Sequence, residues 1–355
     1  MELKQLLEMT IKQGGSDLFI VPGSPPVAKV HGQNVKLDEQ RLLPPDTELL
    51  IKATYESAGH RSMDVLLEEG DDDFSFTLER MARFRCNVYK QRGTLAAAYR
   101  VVAFGLPDPR ERGIPDLVID QVVNNRSGMI LVTGPAGSGK STTLACMVDK
   151  INSTRTGHII TIEDPIEYLF SHKMSLVSQR EVPGDAATFA RALRGALRQA
   201  PDAILLGEMR DNETIQTAIT AAETGHLLLS SLHTLGAAKT IDRIIDTFPA
   251  NQQAQIRIQL SMVLKAVISQ RLVPTLDGKQ KAVFEVMTVN PAIQNMIRDG
   301  KTFQIDNVIY SGTMGQNGMM SMDNELLALY KSRQISKDTA LLHAVNQETM
   351  RKRLI

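Results

Sequence analysis

A chain of 355 residues, 43% hydrophobic and 23% charged, lies near the globular averages of about 45–50% and about 25% and predicts about two domains. Disordered, collagen-like and miniature scaffolds are excluded. Lys plus Arg and Asp plus Glu are equal at 40 each, so the whole-chain field favours neither nucleic acid nor an acidic membrane surface.

Met1-Glu2-Leu3-Lys4 opens an amphipathic segment rather than a signal-peptide core, and no run reaches the roughly 18–20 apolar residues of a membrane span. A cytoplasmic protein is expected, and Cys86 and Cys146, which form no CxxC pair, agree with a reducing compartment. Leu3, Leu6, Leu7 and Ile11 fit one helical face, stopped by Gly14-Gly15 before the apolar run Leu18 to Val21. Asp73 to Leu78 alternates with Phe74, Phe76 and Leu78 on one side. Phe84, Cys86 and Val88 alternate against Arg83, Arg85 and Asn87, so both segments read as half-buried strands. Arg92 and Arg100 follow; in an enzyme that handles nucleoside triphosphates, such arginines stabilise charge on a phosphate held by a neighbouring domain or subunit.

FGLPDPRERGIP, Phe104 to Pro115, packs three prolines and two glycines into a short stretch, and the domain boundary is placed there. Domains are expected at 1–104, then a linker at 105–116, a core at 117–275 and a helical subdomain at 276–355. In the core, apolar strands at Met129 to Thr133, Ile159 to Ile162, Ala203 to Leu206 and Leu227 to Leu232 alternate with helical periods, which implies a parallel sheet covered on both faces.

Gly134-Pro135-Ala136-Gly137-Ser138-Gly139-Lys140-Ser141 matches G-x-x-x-x-G-K-[ST] and stands directly after the first of these strands and before a helical Thr142 to Asp149. The residues from Gly134 to Thr142 are the expected nucleotide-binding set. Their backbone N–H groups and the helix N-terminus surround phosphate, Lys140 reaches the β- and γ-phosphates, and the Ser141 hydroxyl ligates Mg²⁺. The next strand ends in Glu163-Asp164-Pro165, where a carboxylate orients water for attack on the γ-phosphate. Asp202-Ala-Ile-Leu-Leu206-Gly207-Glu208 delivers a third acid, Glu208, to the same edge as a holder of Mg²⁺ or its bound water. His226 and His233 bracket the strand Leu227 to Leu232, about 20 Å apart, too far for joint metal ligation. Only His233 falls at the phosphate edge, where an imidazole donates to the γ-phosphate. Past this core, Ile256, Leu260, Val263 and Val267 recur at helical spacing, and Gly312 to Gly318 forms a Gly- and Met-bearing loop before a last helix with Leu326, Leu327 and Tyr330.

In this order the motifs resemble the secretion-type ATPases, and most closely the PilT-like family of twitching-motility retraction ATPases. The likeness lies in GGSDLFI (14–20), RFRCNVY (83–89), VTGPAGSGKSTT (132–143), TIEDPIEY (161–168), ALRQAPDAILLGEMRD (196–211), TAAETGHLLLSSLHT (220–234), AAKTIDRIIDTFP (237–249) and AIQNMIRD (292–299). The resemblance implies an α/β fold in which a small PAS-like domain precedes a RecA-like P-loop ATPase domain with a helical C-terminal extension. It implies a homohexamer that uses ATP and Mg²⁺ and works on an inner-membrane platform protein from the cytoplasmic side, with a paralogous retraction ATPase as a further partner and no nucleic acid. Glu163 falls in the family's acidic box, Glu208 at its second-strand acid, and His226 and His233 in its paired-His box. Arg83, Arg85, Arg92 and Arg100 fall in the stretch that supplies nucleotide-contacting arginines. Gln294 replaces the first Arg of the retraction signature, and RQAPD and ISQRLVP are closer to the accessory, PilU-like type. Extension and type II secretion ATPases usually carry a four-cysteine zinc insertion that two cysteines cannot build, so retraction is favoured. A ring that binds ATP only as a structural ligand is the non-motor alternative.

Overall fold

Leu3, Leu6 and Leu7 recur at helical spacing and are buried along α1 (Leu3–Lys12), which leads into β1 (Gly15–Ile20). The computed structural model describes residues 1–78, 81–102, 105–311 and 318–354, in two units: Met1–Gly105 with Glu167–Leu169, and Leu106–Ile166 with Phe170–Ile355. The first unit continues with β2 (Val27–Val30), β3 (Gln33–Lys36), α2 (Pro44–Ser57), α3 (Asp64–Glu69), β4 (Asp71–Leu78), β5 (Ala82–Gln91) and β6 (Thr94–Val102). Its six strands form a sheet in the order β3-β2-β1-β6-β5-β4, with every neighbouring pair antiparallel. Phe74, Phe76, Phe84, Cys86 and Val88 point into one core with the leucines of α1, while Arg83, Arg85 and Asn87 stay half-buried on the other face. The alternation expected of β4 and β5 is what the fold uses.

The second unit contains α4 (Asp116–Asn124), β7 (Gly128–Thr133), α5 (Lys140–Thr154), β8 (His158–Glu163), β9 (Leu176–Glu181), α6 (Phe189–Ala196), β10 (Ala203–Leu206), α7 (Asn212–Glu223) and β11 (Leu227–Leu232). After these come α8 (Ala237–Asp246), α9 (Ala250–Val263), β12 (Leu264–Pro274), β13 (Gln280–Thr288), α10 (Pro291–Arg298), α11 (Ile305–Ser311), α12 (Met322–Lys331), α13 (Lys337–His343) and α14 (Gln347–Arg353). The sheet runs β13-β12-β7-β11-β10-β8-β9, parallel except for the antiparallel edge strand β13. Met129 and Leu131 of β7 enter one apolar cluster and Ile130 and Val132 the other, so the strand is buried on both faces. That explains its unbroken apolar run.

Three expectations change. The segment after Gly105 is no free spacer: Ile114 is buried against Val118 and Val122, and the Cys146 thiol lies 3.4 Å from the Pro107 carbonyl oxygen. Phe104, at the expected boundary, lies outside the described residues. Val267 does not continue the helix of Ile256, Leu260 and Val263; it lies in β12, which begins at Leu264. The physical reason is that a strand buried on both faces has no period of two to betray it. The expected helical subdomain at 276–355 therefore begins inside a hairpin, because β13 pairs with β12 from Pro274–Gln280 to Ala266–Thr288. The helices α12, α13 and α14 cluster on this hairpin through Val273 and Val283. Of the Gly- and Met-bearing loop, residues 312–317 lie outside the described residues. Among the described residues no helix is long and apolar enough to cross a membrane.

Candidate active site

The loop between β7 and α5 is shaped by close backbone approach. At Gly134, with φ of 148°, a Cβ would stand 2.2 Å from the Gln270 carbonyl oxygen; at Gly139, with φ of 89°, it would stand 2.8 Å from Gln270 Nε2. Only glycine fits either position. Pro135, Ala136 and Gly137 form the exposed tip, Ser138 is buried, and Ser141 and Thr142 are half-buried in the first turn of α5. Gly139 caps that helix without a side chain, which leaves the helix N-terminus facing the loop. Lys140 is 8% exposed, and its ammonium donates to the Gly134 and Pro135 carbonyls at 3.0 and 2.9 Å.

The parallel register brings the other groups to this edge. The Gly134 N–H donates to the Leu232 carbonyl at 3.2 Å and the Gly207 N–H to the Ile162 carbonyl at 2.8 Å, while Ser231 Oγ donates to the Gly207 carbonyl at 2.6 Å. These bonds lace together the C-terminal ends of β7, β11, β10 and β8. Glu163, the last residue of β8, is buried and accepts from Thr161 Oγ1 at 2.6 Å. Glu208, just past β10, is 12% exposed; its carboxylate meets Arg210 Nη2 at 2.6 Å and His233 Nε2 at 3.7 Å. His233, just past β11, is more than half exposed. Lys140, Ser141, Glu163, Glu208 and His233 thus share one edge, and their oxygens, ammonium and imidazole form a set suited to phosphate, a hard cation and water.

The remaining expected members are His226 and the four arginines of the first unit. His226 lies at the other end of β11, where its carbonyl accepts from the Gly128 N–H at the start of β7 and its Nδ1 lies 3.0 Å from the Ala221 carbonyl oxygen. Within this unit a strand of six residues separates it from the phosphate loop. In the first unit, Arg83, Arg85 and Arg100 share one sheet face, but Arg92 sits in the turn between β5 and β6, about 20 Å along the strand. Sequence reasoning missed Gln270, whose Oε1 accepts from Thr143 at 2.7 Å, and Glu285, which accepts from the Ala237 N–H at 3.1 Å at the start of α8. Burial pushes the Glu285 carboxyl up to about 7, against the lowering effect of that hydrogen bond. The signal for both was a polar residue inside an apolar stretch, at ISQRLV and AVFEVM.

Residues 115–354 match the family model described as type II/IV secretion system protein. The chain is 43% identical over 340 residues to the type IV pilus retraction ATPase PilT of Pseudomonas aeruginosa, covering 96% of this chain and 97% of that one. It is 37% identical to the type IV pilus ATPase PilU of the same organism, covering 99% and 91%. Among solved structures, the pilus retraction motor PilT with bound ADP superposes with a TM-score of 0.90 at 43% identity over 99% of both chains. The Legionella pneumophila ATPase DotB does so at 0.82 and 27%, covering 96% of this chain and 95% of that one.

Proposed function

The chain belongs to the type II/IV secretion system protein family, and from that premise we propose that it is an ATP-hydrolysing motor that retracts a type IV pilus. The observation that carries this reading is the single edge where the Gly134–Ser141 loop, Glu163, Glu208 and His233 meet, in a chain alike over nearly its full length to a retraction motor solved with ADP. The Ser138 hydroxyl supports it: buried in the loop and without a hydrogen-bond partner among the described residues, it is a polar group available to a phosphate oxygen.

In this reading the loop amides and Lys140 bind the β- and γ-phosphates, and His233 donates to the γ-phosphate. Glu163 orients the attacking water and takes its proton. The Ser141 hydroxyl and Glu208 carboxylate are hard oxygen donors of the kind Mg²⁺ prefers; they would hold the ion, which would supply charge neutralisation at the phosphates. Arginines of the first unit stabilise phosphate bound by a neighbouring domain or subunit of a homohexamer. ATP binding favours one state of the homohexamer and hydrolysis releases it, which displaces an inner-membrane platform protein from the cytoplasmic side.

A second reading, the accessory motor beside a principal paralogue, is favoured by RQAPD and ISQRLVP. Steady-state ATP turnover by the purified protein separates a motor from an ATP-binding scaffold. Deletion of the gene in its host tests the direction of work: excess surface pili without twitching is expected, absent pili would mean extension, and intact twitching would favour the accessory role.

A further inference from the structure

We propose that Gln270 is a positioning residue for the phosphate loop, which holds the loop and the first turn of α5 against β12 in the shape that receives nucleotide. The proposal rests on the nucleotide reading of the site given above. β12 and β7 run in parallel register as far as Ser269 and Thr133, whose hydroxyls lie 2.8 Å apart. One residue further, Gln270 stands where β7 breaks off into the loop. Its backbone carbonyl closes against Gly134, its Nε2 against Gly139, and its Oε1 accepts from Thr143 in α5 at 2.7 Å. One residue therefore touches both glycine ends of the loop and the helix that follows.

Gln270 is 3% exposed and Thr143 fully buried, so water cannot replace this bond when it is lost. Loop amides bind phosphate well only if their directions are fixed before the ligand arrives, and an ordered support behind the loop supplies that. Gln270 reaches the loop from behind, along β12, so its effect on nucleotide is indirect.

Titration of Mg·ADP into the full-length protein, beside thermal unfolding without nucleotide, tests the assignment. Gln270→Met and Thr143→Val should each weaken Mg·ADP binding about tenfold, the value of one shielded hydrogen bond. The double variant should bind no more weakly than either single one, because both remove the same bond. Thr143→Ser, which keeps the hydroxyl, should recover binding to within about twofold of the parent. Parental affinity in both single variants overturns the proposal. So does a double-variant loss equal to the product of the single losses, or a Gln270→Met loss that comes with a collapsed unfolding midpoint while Thr143→Val binds normally. A parent protein that does not bind Mg·ADP overturns the nucleotide reading itself.

Discussion

Lys140 and Glu163 are both almost completely buried at the same strand edge, yet they are expected to fail in different ways. In the proposed mechanism Lys140 supplies positive charge to the phosphates in the ground state and in the transition state alike. Lys140→Ala should therefore weaken Mg·ATP binding and lower kcat/KM by about 10²–10³-fold. In the proposed mechanism Glu163 acts on the attacking water, so Glu163→Gln should lower turnover by about 10²–10⁴-fold while Mg·ATP still binds. Calorimetric binding beside steady-state turnover separates the two; a Glu163→Gln variant that loses binding but turns over what it binds at the parental rate would remove Glu163 from the role of water activator. Glu208→Gln should abolish most turnover at little cost in stability, because its partner Arg210 is 74% exposed and such pairs contribute about 0–1 kcal/mol. The unfolding midpoint of that variant checks the second half of the claim.

At the scale of elements, the strands that feed the site were legible in the sequence and its supports were not. β7, β8, β10 and β11 are apolar runs that stop at or one or two residues before a chemically marked residue, so their existence could be read. β12 and β13 end in no such mark, and the apolar stretch from Leu264 passed for the continuation of α9. Gln270 and Glu285 went unread with them, since their partners Thr143 and Ala237 are distant in sequence and only the register brings them together. The hairpin carries one buried acid, Glu285 of β13 at about 7, and the helix α12 packed on it carries a half-buried one, Glu325 at about 7, both pushed up by loss of water. A raised carboxyl holds its proton in the folded state while the unfolded chain ionises near 4.5, so stability is fully present below about 4.5 and is lost as pH rises to about 7. Glu285→Gln keeps an acceptor for the Ala237 N–H and removes the titration. It should match the parent at pH 5 and exceed it at pH 8 by roughly 1–3 kcal/mol in urea unfolding. An equal difference at both pH values would mean that Glu285 does not titrate across this window.

At the scale of the whole molecule, the two units part near Gly105, where prolines and glycines punctuate the sequence. What the arginines of the first unit share was not legible, because spacing along a strand hides what lies across it. β5 and β6 set Arg85 directly opposite Arg100, an arrangement of like charges that is unfavourable in itself. Asp73 flanks one at 3.5 Å and Asp17 the other at 3.0 Å, while Arg83 lies on the same face within 3.3 Å of the Thr77 hydroxyl. Carboxylates thus hold together a cationic face that repulsion would otherwise disperse, and a phosphate would do the same. Arg92 belongs to the two-residue turn with Gly93, both at positive φ, at the far end of the hairpin. Because these positions are about 20 Å apart, one terminal phosphate meets one group or the other. If first-unit arginines meet phosphate as proposed, the face where Arg85 and Arg100 stand opposite each other is the candidate. Joint replacement of Arg85 and Arg100 by Ala should therefore lower steady-state turnover at least tenfold, roughly, with circular dichroism unchanged, whereas Arg92→Ala should stay within about twofold of the parent. The reverse ranking would move the phosphate contact to the hairpin tip, and equal losses from both would require each group to act at a different point of the cycle.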